Sequence, residues 1–168
     1  MILGMSLSTF TTLHVVFSLI GIATGVICLF ALLGSRVPPG LTATFLLTTV
    51  ATSVTGFFFP NLKIGPPVIF GVVSLLVLTP VLLALYRFHL AGPWRWIYIA
   101  GAAFALYLNS VVAVVQAFRN LAFLKPLAPT QSEPPFLVAQ VVVLAIIVGL
   151  TVLALKRFRP ATAQRLSP

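Results

Sequence analysis

Residues 135–155 read PFLVAQVVVLAIIVGLTVLAL, and residues 156–159 read KRFR. The first stretch carries no charged side chain and has the length, about 20 residues, that a helix needs to cross roughly 30 Å of hydrocarbon. The second brings three cations at once, the pattern of a span leaving the bilayer on its cytoplasmic side. Working back along the chain, four more apolar runs of similar length appear at 12–33, 41–59, 67–86 and 96–118. The expected fold class is therefore all-α: a polytopic membrane helix bundle of five transmembrane helices forming one membrane domain over 1–168.

The breaks between runs carry turn chemistry. Gly34 to Gly40 includes paired prolines, Pro60-Asn61 stops the second run, and Thr79-Pro80 predicts a kink near the end of the third. Arg87 to Trp96 interleaves arginines with tryptophans, as interfacial anchors do. The longest connection, Arg119 to Pro134, is proline-rich and too polar to span. The second run is the least apolar, but threonine hydroxyls can bond back to the i−4 carbonyl and so enter lipid at little cost. Met1 to Thr12 has no Lys or Arg, so the first run reads as a retained helix and not as a secretory signal.

Composition narrows the function classes. An apolar share of 60% with 7% charged residues lies far from that of water-soluble domains. The net charge of +9 does not imply nucleic acid, because all ten Lys and Arg lie between apolar runs or at their ends. One side holds Arg36, Arg87, Arg95 and the tail residues Lys156, Arg157, Arg159 and Arg165; the other holds Lys63, Arg119 and Lys125. The positive-inside bias then puts the N-terminus outside and residues 156–168 inside as a basic cytoplasmic tail. The bilayer is the expected partner, with anionic lipid at the tail at about 1 kcal/mol per basic residue. A homo-oligomer or a membrane-complex partner is a further expectation.

Within the spans, His14, Ser18, Gly21, Gly25 and Cys28 follow one helical face of the first run, and Gly21-x-x-x-Gly25 is a close-approach pattern. Thr44, Thr48, Thr52 and Thr55 form a stripe in the second, with Thr49, Ser53 and Gly56 beside it. In the fourth, Tyr98, Ala102, Ala105, Asn109, Ala113 and Gln116 share a face. The first, second and fourth helices are expected to meet through these faces.

Sorted by depth, His14, Thr52, Thr55, Gln116, Gln140 and the connection residue Glu133 fall towards the outer side, with Asn109 near mid-membrane. These seven form the tentative ligand-binding cluster, a cleft with His14 and Glu133 at its mouth. The ordinary reading of the amides is interhelical hydrogen bonding; that of His14 is an interfacial imidazole. Glu133, the one acid, fits the first turn of the fifth helix behind an Ser132 N-cap. Cys28, alone in its run, makes no intramolecular disulfide. No metal-ligand cluster or catalytic motif is present, so no catalytic or metal residue is assigned and no cofactor is named.

The segments 52–60 (TSVTGFFFP) and 128–136 (APTQSEPPF), with Leu106-Tyr107-Leu108-Asn109 and Val115-Gln116-Ala117-Phe118, resemble those of a family of small, uncharacterised bacterial inner-membrane proteins, over most of the chain. The resemblance implies a multi-pass protein of the bacterial inner membrane and transfers no catalytic residue. The leading expectation is a non-enzymatic accessory, structural or small-ligand-binding membrane protein. The alternatives are a subunit of an oligomeric transporter or channel, with Asn109, Gln116 and the threonine face lining a path, and a redox protein binding quinone or haem through His14.

Overall fold

Ser6 starts the first helix: its hydroxyl accepts from the Thr9 N–H at 3.1 Å, so one of the four donors that a helix start leaves open is satisfied. The computed structural model describes residue 2 and residues 4–60 and 65–159. It is all-helical apart from connections and one isolated bridge, Ile2 with Met5. The five helices are α1 (Leu7–Leu33), α2 (Pro39–Gly56), α3 (Pro66–Leu82), α4 (Trp94–Asn120) and α5 (Pro134–Arg157). Four helical stretches are long and apolar enough to cross a membrane: α1, α3 with the turn that continues it to Arg87, α4 and α5. The threonine-rich α2 is not among them.

The boundaries differ from the sequence reading at several ends. The Ser6 cap lets α1 begin five residues before Thr12, through polar residues whose hydroxyls bond back along the helix, Thr11 to the Leu7 carbonyl and Thr12 to that of Ser8. The second helix ends at Gly56 rather than Phe59, since the Phe57 and Phe58 N–H groups fall back onto the Val54 and Thr55 carbonyls in a tighter turn. Asn61, Lys63 and Arg165 lie outside the described residues.

Pro80 has no N–H to continue the ladder of α3, and the helix passes three residues later into a π-helical turn, Leu83–Arg87. The Phe88 N–H reaches the Leu83 carbonyl at 3.0 Å and the Leu90 N–H that of Ala84 at 2.9 Å. His89 and Leu90 then take positive φ, and Trp94 stacks on Phe88 with ring centres 3.9 Å apart. Arg87 lies over the same Phe88 ring at 5.7 Å, within reach of a cation–π attraction.

Successive helices run antiparallel, so the starts of α1, α3 and α5 and the ends of α2 and α4 gather at one end of the bundle, here the amino end. Helices α1 to α4 form a ring closed by α1 against α4, and α5 lies in the groove between those two. The most buried helix is α4, whose Tyr98, Ile99, Ala105 and Leu106 are almost wholly enclosed. By contrast α5 turns Leu137, Val141, Ile146 and Val152 outward, which suits a lipid solvent and would be untenable in water.

The other, carboxyl end is latched by a helix stop. The Arg36 N–H bonds the Ala31 carbonyl and the Ser35 N–H that of Leu32, a Schellman arrangement with Ser35 in the left-handed region at φ 55. The Ser35 hydroxyl then donates to the Arg157 carbonyl at 3.3 Å and accepts from the Arg159 N–H at 2.9 Å. Arg95 donates to the carbonyl of the buried Phe158 at 3.0 Å. The chain leaving α5 is thus tied to the α1–α2 turn and the start of α4.

Candidate functional site

The glycines of α1 make a polar seam between α1, α2 and α4. A Cβ on Gly21 would lie 3.2–3.3 Å from Thr48 Oγ1, Thr49 Oγ1 and Asn109 Nδ2, and one on Gly25 would lie 2.7 Å from the Phe45 ring and 2.9 Å from Leu106. Only a glycine face admits helices this close. The expected contact of the first helix with the second and fourth through small and polar faces is present; α2 and α4 touch each other only slightly.

Six of the seven hydroxyls of α2 are committed within their own helix; the seventh, on the buried Thr42, lies 3.8 Å from Cys28 Sγ of α1. Thr44, Thr48, Thr49, Thr52, Ser53 and Thr55 each donate to the carbonyl four residues back, at 2.7–2.9 Å. Their oxygens are left to neighbouring helices as acceptors. His14 Nδ1 lies 2.8 Å from Thr55 Oγ1. The Thr55 oxygen also lies 2.7 Å from the Ala51 carbonyl, a contact that is repulsive unless the hydroxyl proton lies between them. Thr55 therefore donates to Ala51 and accepts from His14, so the neutral ring carries its proton on Nδ1 and leaves Nε2 bare. Phe59 meets the ring edge-on at 5.2 Å, and Phe10 packs against Phe59 from the same side.

One turn deeper, the Ser18 hydroxyl donates to Asn109 Oδ1 at 2.8 Å, and Asn109 Nδ2 donates to the Ser18 carbonyl at 3.3 Å. Asn109 is 8% exposed, and Ser110 beside it bonds back to Leu106. Further along, Gly25, Cys28, Phe45, Tyr98 and Leu106 surround a space of about 10 Å³, at the lower limit for one water.

The remaining expected site residues go elsewhere. Thr52 bonds within α2 and makes no cross-helix hydrogen bond among the described residues. Gln116 receives the Asn120 amide at 3.1 Å. Gln140 donates to the Val111 carbonyl at 3.4 Å, and its Oε1 is buried without a partner. Glu133 is the N-cap of α5, not a first-turn residue behind Ser132. Pro134 and Pro135 offer its carboxylate no N–H, so it turns back, accepting from the Thr130 N–H at 3.1 Å, the Thr130 hydroxyl at 2.9 Å and the Ser132 N–H at 3.1 Å. Desolvation, which would raise its pKa, is outweighed by these hydrogen bonds, and the pKa lies below the ordinary value. The structure thus joins His14 to Thr55 and Ser18 to Asn109; it links His14 and Glu133 by neither hydrogen bond nor ion pair.

Two features were not read from the sequence. The Ser18–Asn109 pair was invisible as a pair, although each residue lay on a polar face. The second is a cavity of about 490 Å³ at the amino end, walled by the last turn of α4 and the connection to α5, with Arg119, Lys125, Thr130 and Gln131 on it. Two cations in one proline-rich connection were the available signal. Among the described residues no group of three or more His, Cys, Asp or Glu is placed to hold a metal ion. Comparison with family models, with curated proteins and with solved structures finds no match, and the family resemblance rests on sequence pattern alone.

Proposed function

We propose that the chain is a non-enzymatic membrane protein, an accessory or structural member of a membrane assembly, crossing the bacterial inner membrane five times with its N-terminus outside. The observation that carries the functional part is the disposition of the polar groups at mid-bundle. Ser18 and Asn109 satisfy each other across α1 and α4, and the α2 hydroxyls donate to their own backbone. Polar groups used in this way hold helices together; a conducting path needs them turned to water.

Five spans are supported by α2 itself. Its 18 residues reach about 27 Å at 1.5 Å per residue, and six of its seven hydroxyls donate to its own backbone. The orientation rests on the seven-to-three distribution of Lys and Arg. Gathered at the carboxyl end, Arg36, Arg87, Arg95, Arg157 and Arg159 fit an anionic cytoplasmic leaflet.

Reporter fusions at Pro168 and within 121–133 test the topology; a periplasmic C-terminus overturns it. Proteoliposomes of the purified chain test the function, with no rise in ion or small-solute flux and no Soret band expected. A flux abolished by Asn109→Leu would establish the transport reading instead. A Soret band abolished by His14→Ala would establish the redox one, which the bare His14 Nε2 favours as a ligand atom.

A further inference from the structure

The cavity at the amino end has the volume of a small-ligand site, about 490 Å³. Its polar walls are unequal. Thr130 donates its hydroxyl to Glu133 and accepts from the Ser132 hydroxyl, Gln131 gives its amide to the Val115 carbonyl at 3.2 Å, and Asn120 gives its amide to Gln116. Arg119 and Lys125 make no side-chain hydrogen bond or ion pair among the described residues. The one acid of the chain lies eight residues beyond Lys125, yet its carboxylate is held by three donors of its own loop and not by either cation.

Those walls are also fixed before any ligand arrives. Gln131 anchors the connection to α4, Glu133 staples Thr130, Lys125–Leu127 forms a 3₁₀ turn, and Phe118 meets Phe136 edge-on at 5.5 Å beneath. The negative end of the α4 dipole, worth about half a charge, points here, and the two full charges of Arg119 in its last turn and Lys125 outweigh it. In the same connection Leu121, Phe123 and Leu127 are exposed, Phe123 to 69%. Bulky apolar side chains at a span end lie in the interfacial layer, where phosphate groups of lipids are concentrated.

We infer that this cavity is a phosphate-binding site, in which Arg119 and Lys125 hold the phosphate of an anionic lipid headgroup while Leu121, Phe123 and Leu127 rest among its acyl chains. The guanidinium offers paired donors to the two non-esterified oxygens of the phosphodiester, and the ammonium adds a point charge beside them. The site rests on the membrane reading but on neither the orientation nor the proposed accessory role, and it lies at the opposite end from the basic tail.

The test compares wild type, Arg119→Gln/Lys125→Gln and the charge-keeping Arg119→Lys/Lys125→Arg as full chains in neutral detergent. Native mass spectrometry with phosphatidylglycerol is expected to show one lipid fewer on the Gln pair, with affinity at that site weaker by about 30-fold, and full occupancy on the charge-keeping pair. Melting temperatures equal to wild type show that the Gln pair is folded. Phosphorus NMR with inorganic phosphate and glycerol 3-phosphate forms the second arm, with no broadening expected from either. Broadening by a soluble phosphate that the Gln pair abolishes, at unchanged lipid count, overturns the lipid source. Equal lipid counts and equal phosphorus spectra for all three proteins overturn the site.

Discussion

Ser18 and Asn109, 91 residues apart in sequence, exchange hydrogen bonds across α1 and α4, side chain to side chain at 2.8 Å and amide to backbone at 3.3 Å. Ser18 thereby breaks the habit of the six α2 hydroxyls that donate within their own helix. A double-mutant cycle of Ser18→Ala and Asn109→Leu in lipid should return a coupling of about 0.6 to 2 kcal/mol. Additive losses of stability would mean that the two residues act separately.

Next along α1, Gly25 has the tighter surroundings of the two seam glycines, with ring and methyl carbons at 2.7–2.9 Å from a built Cβ against hydroxyl and amide atoms at 3.2–3.3 Å around Gly21. Gly25→Ala should therefore destabilise the bundle by about 1 to 3 kcal/mol, and Gly21→Ala by less. Thermal melting in one detergent checks the order. Equal melting of Gly25→Leu and wild type would place this face against lipid.

For His14, nitrogen-15 spectra of the ring should show the proton on Nδ1 in the neutral form, since Thr55 has its own proton on the Ala51 carbonyl. Thr55→Val should remove the preference and shift the Nδ1 resonance. A wild-type ring protonated on Nε2 would show that Thr55 donates to the imidazole and that its contact with Ala51 is not a hydrogen bond.

Glu133 supplies a pH dependence. Its pKa is lowered in the fold, so its contribution is complete above the ordinary value of 4.5 and is lost as the pH falls from there through the lowered native value. Below that window the Thr130 and Ser132 donors lose their carboxylate. The melting temperature of wild type should fall across it more than that of Glu133→Gln, and parallel curves would show that the staple adds nothing.

Much of the architecture was legible because it depends on single segments. Apolar length, helix-stopping Gly and Pro, and the exclusion of charge act within about twenty residues, so the helices of 135–155 and 96–118 were visible with ends wrong by one or two positions. The larger error at the start of α1 came from giving apolar length more weight than the Ser6 cap, which is local information too. In α2 the same local reasoning stops short: its composition falls below that of the other spans, and the proposal of a fifth crossing rests on its length, its internally bonded hydroxyls and its fit between α1 and α3.

What the sequence by itself determined is that this chain folds as helices, four of them long and apolar enough to cross a membrane, that Gly21 and Gly25 share a face with Ser18 and His14, and that the described cations lie at or beyond the helix ends. The tertiary structure decided which polar groups meet: His14 with Thr55, Ser18 with Asn109, and Glu133 with its own loop instead of with His14. The reason is geometric. Helical periodicity fixes the face on which a side chain lies, whereas its partner depends on how neighbouring helices rotate and slide, and those are set by packing of the whole bundle, which no single segment contains.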